Sequence, residues 1–286
     1  MIYLDPKSDI AFKKLFGNIT HKNILISFLN SILQRPEGLK IVDVVINDPT
    51  NVPDTRSSKL SIVDVRCTDQ SGCLYVVEMQ MVDQKDYAPR AQYYSSIALV
   101  RQLDAGESYN KLIPVIFVGI LNFELFAKSR EYLAHHLILD SVTHAHELKH
   151  LEFHFVELPK FTKQLDQLDN ILEKWVYFMK NAEHLQSVPA SFKEKELTDA
   201  FNILAQSNWS KPELESYDRY LDNIRSEMNQ LDTAEAKGLA KGLEKGLEDG
   251  KKERSIEIAR QLLDVLDVAT IAQKTGLSIE QIQQLK

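Results

Sequence analysis

Two valine-rich runs, SIVDVRCTD and CLYVVEMQ, meet at the pentapeptide Asp69-Gln70-Ser71-Gly72-Cys73. A three-residue hairpin loop is a type I turn closed by a residue in the left-handed region, usually glycine. Gly72 stands at that position, so the two runs are expected to be antiparallel strands near 60–68 and 73–81. The turn pairs Asp69 with Cys73. Counting back, Thr68 meets Leu74, Arg66 meets Val76, and Asp64 meets Glu78. Directly opposed residues share a face, with Cβ atoms about 4.5–5.5 Å apart. Gln80, two residues beyond Glu78, joins them. A loop of two or four residues would instead pair Asp64 with Val77 and split the carboxylates across the sheet.

Charges in half-buried strands are costly unless they are paired or bound to a metal. Two opposed carboxylates repel unless a proton or a cation lies between them. Oxygen ligands from two side chains, a carbonyl and waters suit Mg²⁺, and Mg²⁺ can polarise a phosphoryl oxygen and activate water. The pair is therefore a candidate phosphodiester-hydrolysis site. It also fits a solvent-facing pair at a sheet rim, or a site where one carboxyl stays protonated.

Around the hairpin, the pattern reads as a mixed α/β layer. DPKSDIAFKKLFG opens with a helix, with Asp5 as the expected cap and Pro6 in the first turn. A second helix is expected from Lys22 to Leu33, and IVDVVI (41–46) reads as a strand followed by a polar loop, NDPTNVPDTRSS. YAPRAQYYSSIALVRQL (87–103) reads as a helix. LIPVIFVGIL, YLAHHLILD and LEFHFVEL read as three further strands. This order is not a repeating βαβ array.

Composition shifts near Pro159, after which helical periodicity takes over. The expected organisation is a core of residues 1–160, a helical region 161–230, and a tail 231–286. In the tail, glycine recurs every four residues at Gly238, Gly242, Gly246 and Gly250. An interior glycine costs a helix roughly 1 kcal/mol against alanine, so the repeat is either a close helix contact or a flexible linker. The end, VATIAQKTGLSIEQIQQL, outlines a helix-turn-helix with little positive charge on its second helix. It suits a packing or protein-contact hairpin better than DNA reading.

Of the 286 residues, 44% are hydrophobic and 26% charged, and the formal net charge is −7. That balance excludes a protein that coats nucleic acid by charge alone. Cys67 and Cys73 form no CxxC or zinc-finger spacing, which fits a reducing compartment. MIYLDPKSD lacks the pattern of a signal peptide, and the apolar run at 112–121 is about half a membrane span. A cytoplasmic location is expected. Six histidines fall between 135 and 154: His135, His136, His144, His146, His150 and His154. The flanking strand pattern spreads them over two faces, and no close carboxylate set joins them, so no zinc site is expected there. No phosphate-binding loop or serine-hydrolase motif is present.

A strand ending in Asp, a hairpin, and a strand ending in Glu-x-Lys is the signature of the PD-(D/E)XK nucleases. Asp64 with Glu78-Met79-Gln80 resembles it, with glutamine in the lysine place. The chain resembles most the Rpn group, the recombination-promoting nucleases also called transposases, in which Glu-x-Gln is usual. DPKSDIAFKKLFG, YAPRAQYYSSIALVRQLDAGESY and the glycine-repeat tail add to the likeness. It covers the first 125 residues well and the tail loosely.

The resemblance implies a restriction-endonuclease-like core with a mixed central sheet flanked by helices, followed by a helical C-terminal region. It also implies a metal-dependent DNA endonuclease. Asp64 and Glu78 would hold Mg²⁺ or another divalent cation, with the Met79 carbonyl as a further ligand. Gln80 would orient the water or the scissile phosphate, but it cannot supply positive charge. Arg90, Lys7 or Lys13 would supply it. Asp9 matches an extra acidic residue of such folds, or serves only its helix N-terminus. Tyr93 and Tyr94 are either core or base-stacking residues, and Arg66 would neutralise Asp64. DNA is the expected partner, with self-association through the tail as a further possibility. The competing expectation is a catalytically inactive nuclease-fold protein acting in DNA or protein binding.

Overall fold

The computed structural model describes residues 1–48, 50–51 and 61–285. Residue 60 and most of the polar loop at 47–58 lie outside the described residues. The elements follow one another as α1 (Asp9–Phe16), α2 (Lys22–Leu33), β1 (Val44–Asn47), β2 (Thr50–Asn51), β3 (Ser61–Ile62), β4 (Val65–Asp69) and β5 (Leu74–Gln80). Then come α3 (Tyr87–Val100), β6 (Val115–Leu121), β7 (Leu133–Leu137), β8 (Leu151–Glu157), α4 (Ile171–Asn181), α5 (Lys195–Leu204), α6 (Lys211–Leu262), α7 (Val268–Thr275) and α8 (Ile279–Gln283). They form two compact units, Met1–Ile224 and Arg225–Lys286.

In the first unit a six-stranded sheet runs in the order β1-β4-β5-β6-β8-β7. The β5·β6 and β6·β8 pairs are parallel; the β1·β4, β4·β5 and β7·β8 pairs are antiparallel. The sheet is mixed, with helices on both faces, as expected. Side chains alternate along the strands. Cys67, Tyr75, Val77, Ile116 and Val118 face the cluster built with α1, α2, α4 and α5. Val76, Phe117, Leu121 and Phe155 face Tyr87, Ala91 and Ala98 of α3.

The first helix differs from expectation at its start. Asp5 Oδ1 accepts the Lys7 N–H at 2.9 Å and pairs with Lys7 Nζ at 2.7 Å, so it does not cap. Ser8 caps instead, accepting the Ala11 N–H at 3.3 Å. Helix α1 is held against the sheet by aromatic packing: Phe16 stacks on Phe28 of α2 at 4.7 Å, and Phe28 meets the ring of Trp175 of α4 edge-on at 5.6 Å. Helices after residue 160 thus complete the core that carries the sheet.

Helix α6 runs without a break through the glycine repeat. The linker reading gives way to a helix, and a Cβ at Gly238, Gly242, Gly246 or Gly250 would meet nothing within 4 Å. In the second unit, Ala259, Ile271, Leu277 and Ile282 form a small core. Gly276 turns the chain between α7 and α8 at φ 72°, and Ser278 caps α8. No helix among the described residues is long and apolar enough to cross a membrane.

Candidate functional site

The turn chemistry sets the register of the site. Gly72 adopts φ 87°, its N–H donates to the Asp69 carbonyl at 3.0 Å, and the Asp69 N–H donates to the Cys73 carbonyl at 3.0 Å. Thr68 faces Leu74, Arg66 faces Val76, and Val65 faces Val77. Val65 and Val77 close the paired ladder, with Asp64 just before the one and Glu78 just after the other.

Asp64 sits at a bend just before β4. Val63 packs in the cluster on the α3 face, while Val65, two residues on, packs in the cluster on the other face. Unbroken alternation would keep both on one face. The break turns Asp64 onto the rim of the sheet, where α1 also ends up. There its Oδ2 accepts the Met79 N–H at 2.7 Å. Lys13 Nζ stands 3.8 Å from its other oxygen and 2.6 Å from Asp9 Oδ1.

Glu78 is buried on the α3 face. Its register partner on β6 is Gly119. A Cβ at Gly119 would stand 2.8 Å from the Tyr87 hydroxyl and 2.9 Å from Phe155 Cδ1, so only glycine lets that hydroxyl approach. The buried hydroxyl of Tyr87 and the Nε of Arg90 have no hydrogen-bond partner among the described residues. Arg90 Nη2 donates to Gln80 Oε1 at 2.6 Å, Nη1 donates to Gln84 at 3.1 Å, and Gln80 Nε2 donates to the Val82 carbonyl at 3.2 Å.

Burial pushes the Asp64 carboxyl up to about 7; the Met79 N–H and Lys13 oppose this, and Asp9 adds to it. Burial, then the charge of Asp64, pushes Glu78 up to about 8, with Arg90 pulling the other way. These are two acids that resist ionising together.

Hard oxygen donors of this kind fit a divalent cation. Leu74 N–H and Gln80 C=O bond toward the β6 side. Met79, one residue from Gln80, therefore aims both its N–H and its C=O toward Asp64. The carbonyl is oriented as a further ligand would be.

Other expected residues fall elsewhere. Lys7 is buried and paired with Asp5 and Glu183, at 2.7 and 3.0 Å, so it is not the cation beside Asp64. Lys13 stands beside Asp64, and the charge of Arg90 acts on Glu78. Burial, then the charge of Arg101, holds Arg66 below its ordinary range, with Asp48 opposing. Tyr93 is exposed, whereas Tyr94 packs against the α3-side core within reach of the Glu78 charge. Cys67 is buried, and burial pushes its thiol up to about 12, which rules out a thiolate nucleophile.

Sequence reasoning missed Tyr220 of α6, which stands against the Asp9 backbone N–H, and Tyr87. Only the spacing of Tyr87 and Arg90 on one helical turn hinted at the latter. It also missed that Glu152 joins two histidines: His135 and His154 both meet its carboxylate.

The sequence pattern described as PD-(D/E)XK nuclease family transposase matches residues 6–234, and the chain belongs to that family. Its mixed sheet with flanking helices is the restriction-endonuclease-like fold. No curated protein and no solved structure matches the chain.

Proposed function

We propose that this protein is a Mg²⁺-dependent DNA endonuclease of the transposase type, hydrolysing phosphodiester bonds in a step that promotes recombination, as in the Rpn group it resembles. The observation that carries the reading is the gathering of Asp9, Asp64 and Glu78 around one rim, with the Lys13 and Arg90 cations beside them.

Asp64, Glu78 and the Met79 carbonyl would hold the ion. When bound, it would polarise a phosphoryl oxygen and lower the pKa of a water. The protein's own groups do the rest. Arg90 supplies the positive charge that Gln80 lacks, held in place by the 2.6 Å bond to the Gln80 amide. The unpaired Tyr87 O–H and Arg90 Nε–H are donors that a phosphate would satisfy. Lys13 pairs with Asp9 at 2.6 Å and stands 3.8 Å from Asp64.

The test is plasmid cleavage with Mg²⁺ by the purified protein and by Asp64→Asn and Glu78→Gln variants. Cleavage by the wild type and loss in both variants supports the reading. No cleavage in any divalent metal, or equal cleavage by all three, sinks it. One observation favours the inactive, DNA- or protein-binding alternative: both ends of the Gln80 amide are already engaged inside the protein. Metal-independent DNA binding without cleavage would establish that alternative.

A further inference from the structure

On the sheet face opposite Glu78, three side chains converge at the β7 edge. His154 stands beside Val118, whose side chain faces the α1 and α2 cluster, whereas Glu78 stands beside Gly119 on the other face. His135 of β7 lies directly opposite His154 of β8. Glu152, two residues before His154, shares its face. The Nε2 atoms of His135 and His154 approach the same Glu152 oxygen at 2.9 and 2.7 Å. The two imidazoles stack at 4.1 Å with 16° between their planes. One ligating atom from each of the three residues lies within 4.8 Å of the others.

We infer that His135, Glu152 and His154 form a second metal site, for a divalent transition metal of the zinc class, that ties the edge strand β7 to β8. Two imidazoles and a carboxylate are the donor set of an open zinc site, with the fourth position left to water. Imidazole nitrogen selects zinc-like ions, whereas Mg²⁺ prefers oxygen. Metal–ligand bonds of about 2.0–2.1 Å in a tetrahedron hold donors roughly 3.3–3.4 Å apart. The two imidazole nitrogens stand 2.9 and 2.7 Å from the Glu152 oxygen, which would withdraw by roughly half an ångström to reach that spacing.

The ladder pre-organises the set. Two ligands come from one strand at a spacing of two, and the third comes from the position paired with one of them. His154 is 2% exposed, and its Nδ1 has no partner among the described residues.

The His135 side chain is 44% exposed, which leaves an entry path from solvent.

The test uses the full chain stripped with a chelator and titrated with Zn²⁺, and separately with Co²⁺ as a spectroscopic probe, in excess Mg²⁺. Calorimetry is expected to show one zinc per chain with a Kd of about 1 µM or tighter. Cobalt is expected to give the strong visible absorption of a tetrahedral nitrogen–oxygen site. His135→Ala, at the half-exposed edge, should keep the fold and weaken zinc binding by at least about 100-fold. The same variant should lose the zinc-induced rise in melting temperature. Glu78→Gln should change none of these. The inference is overturned if the wild type binds no zinc in this range, if His135→Ala and Glu152→Gln bind it as the wild type does, or if Glu78→Gln abolishes binding.

Discussion

Arg90 Nη2 donates to Gln80 Oε1 at 2.6 Å, so the residue in the lysine place of the motif is neutral but carries a cation at its tip. On the proposed function, amide and guanidinium together would supply the charge of one lysine. Arg90→Ala should lower single-turnover DNA cleavage by about 10²–10³-fold, the range for loss of one charge-stabilising donor. Melting temperature should hardly change, because the site is at the rim. Gln80→Lys alone should also impair cleavage, since it sets two cations side by side. Gln80→Lys with Arg90→Gln should recover activity over Arg90→Gln alone. An inactive double variant would show that the pair is not a substitute lysine.

The acids make metal-free stability depend on pH. Glu78 titrates at about 8 and Asp64 at about 7 in the folded chain, against roughly 4.3 and 3.9 unfolded. The folded state therefore binds more protons between these limits. The contribution is full below pH ~4, falls as pH rises, and is gone above pH ~8. Because the two groups are coupled, the total is smaller than the sum of the separate shifts. Urea unfolding from pH 5 to pH 8.5 in a chelator should show this decline. Glu78→Gln should flatten it, and Mg²⁺ should restore stability at pH 8.5.

Gly119 keeps space for the Tyr87 hydroxyl. Gly119→Ala would place a methyl 2.8 Å from that oxygen and 2.9 Å from Phe155 Cδ1. Overpacking of this kind costs about 1–3 kcal/mol. Tyr87→Phe removes an unpartnered buried hydroxyl and should be near neutral in stability. In the Gly119→Ala background it should recover part of the loss. Chemical denaturation of the four proteins makes a double-mutant cycle, and strict additivity would contradict the contact.

Gly242 and Gly246 lie in an exposed stretch of α6 where a Cβ meets nothing within 4 Å. Alanine at each should strengthen the helix by about 1 kcal/mol. Far-ultraviolet circular dichroism on heating should show helix lost at higher temperature in the double variant. If light scattering showed the wild type to be an oligomer that the double variant is not, the glycines would instead serve close approach to another chain.

The register of β4 against β5 was legible in the sequence because a hairpin is local. Gly72 five residues from Val77 dictates the turn, the turn dictates the register, and side-chain period carries it to Gln80. The helix Lys22–Leu33 was legible for the same reason, since its apolar period lies within twelve residues. The bend at Asp64 was not legible, because it shows only in which core Val63 and Val65 join. Nor was the choice of cation. Lys7, Lys13 and Arg90 look alike in the sequence, and burial against Glu183, 176 residues away, removes the first from the site. His135 and His154 are separated by the whole of the loop 138–150, and only strand pairing sets them face to face around Glu152. The sequence by itself determined the short-range geometry, where backbone sterics and side-chain period leave few alternatives. The tertiary structure decided which charges share a site and how far burial shifts them, because those depend on segments the chain brings together only when it folds.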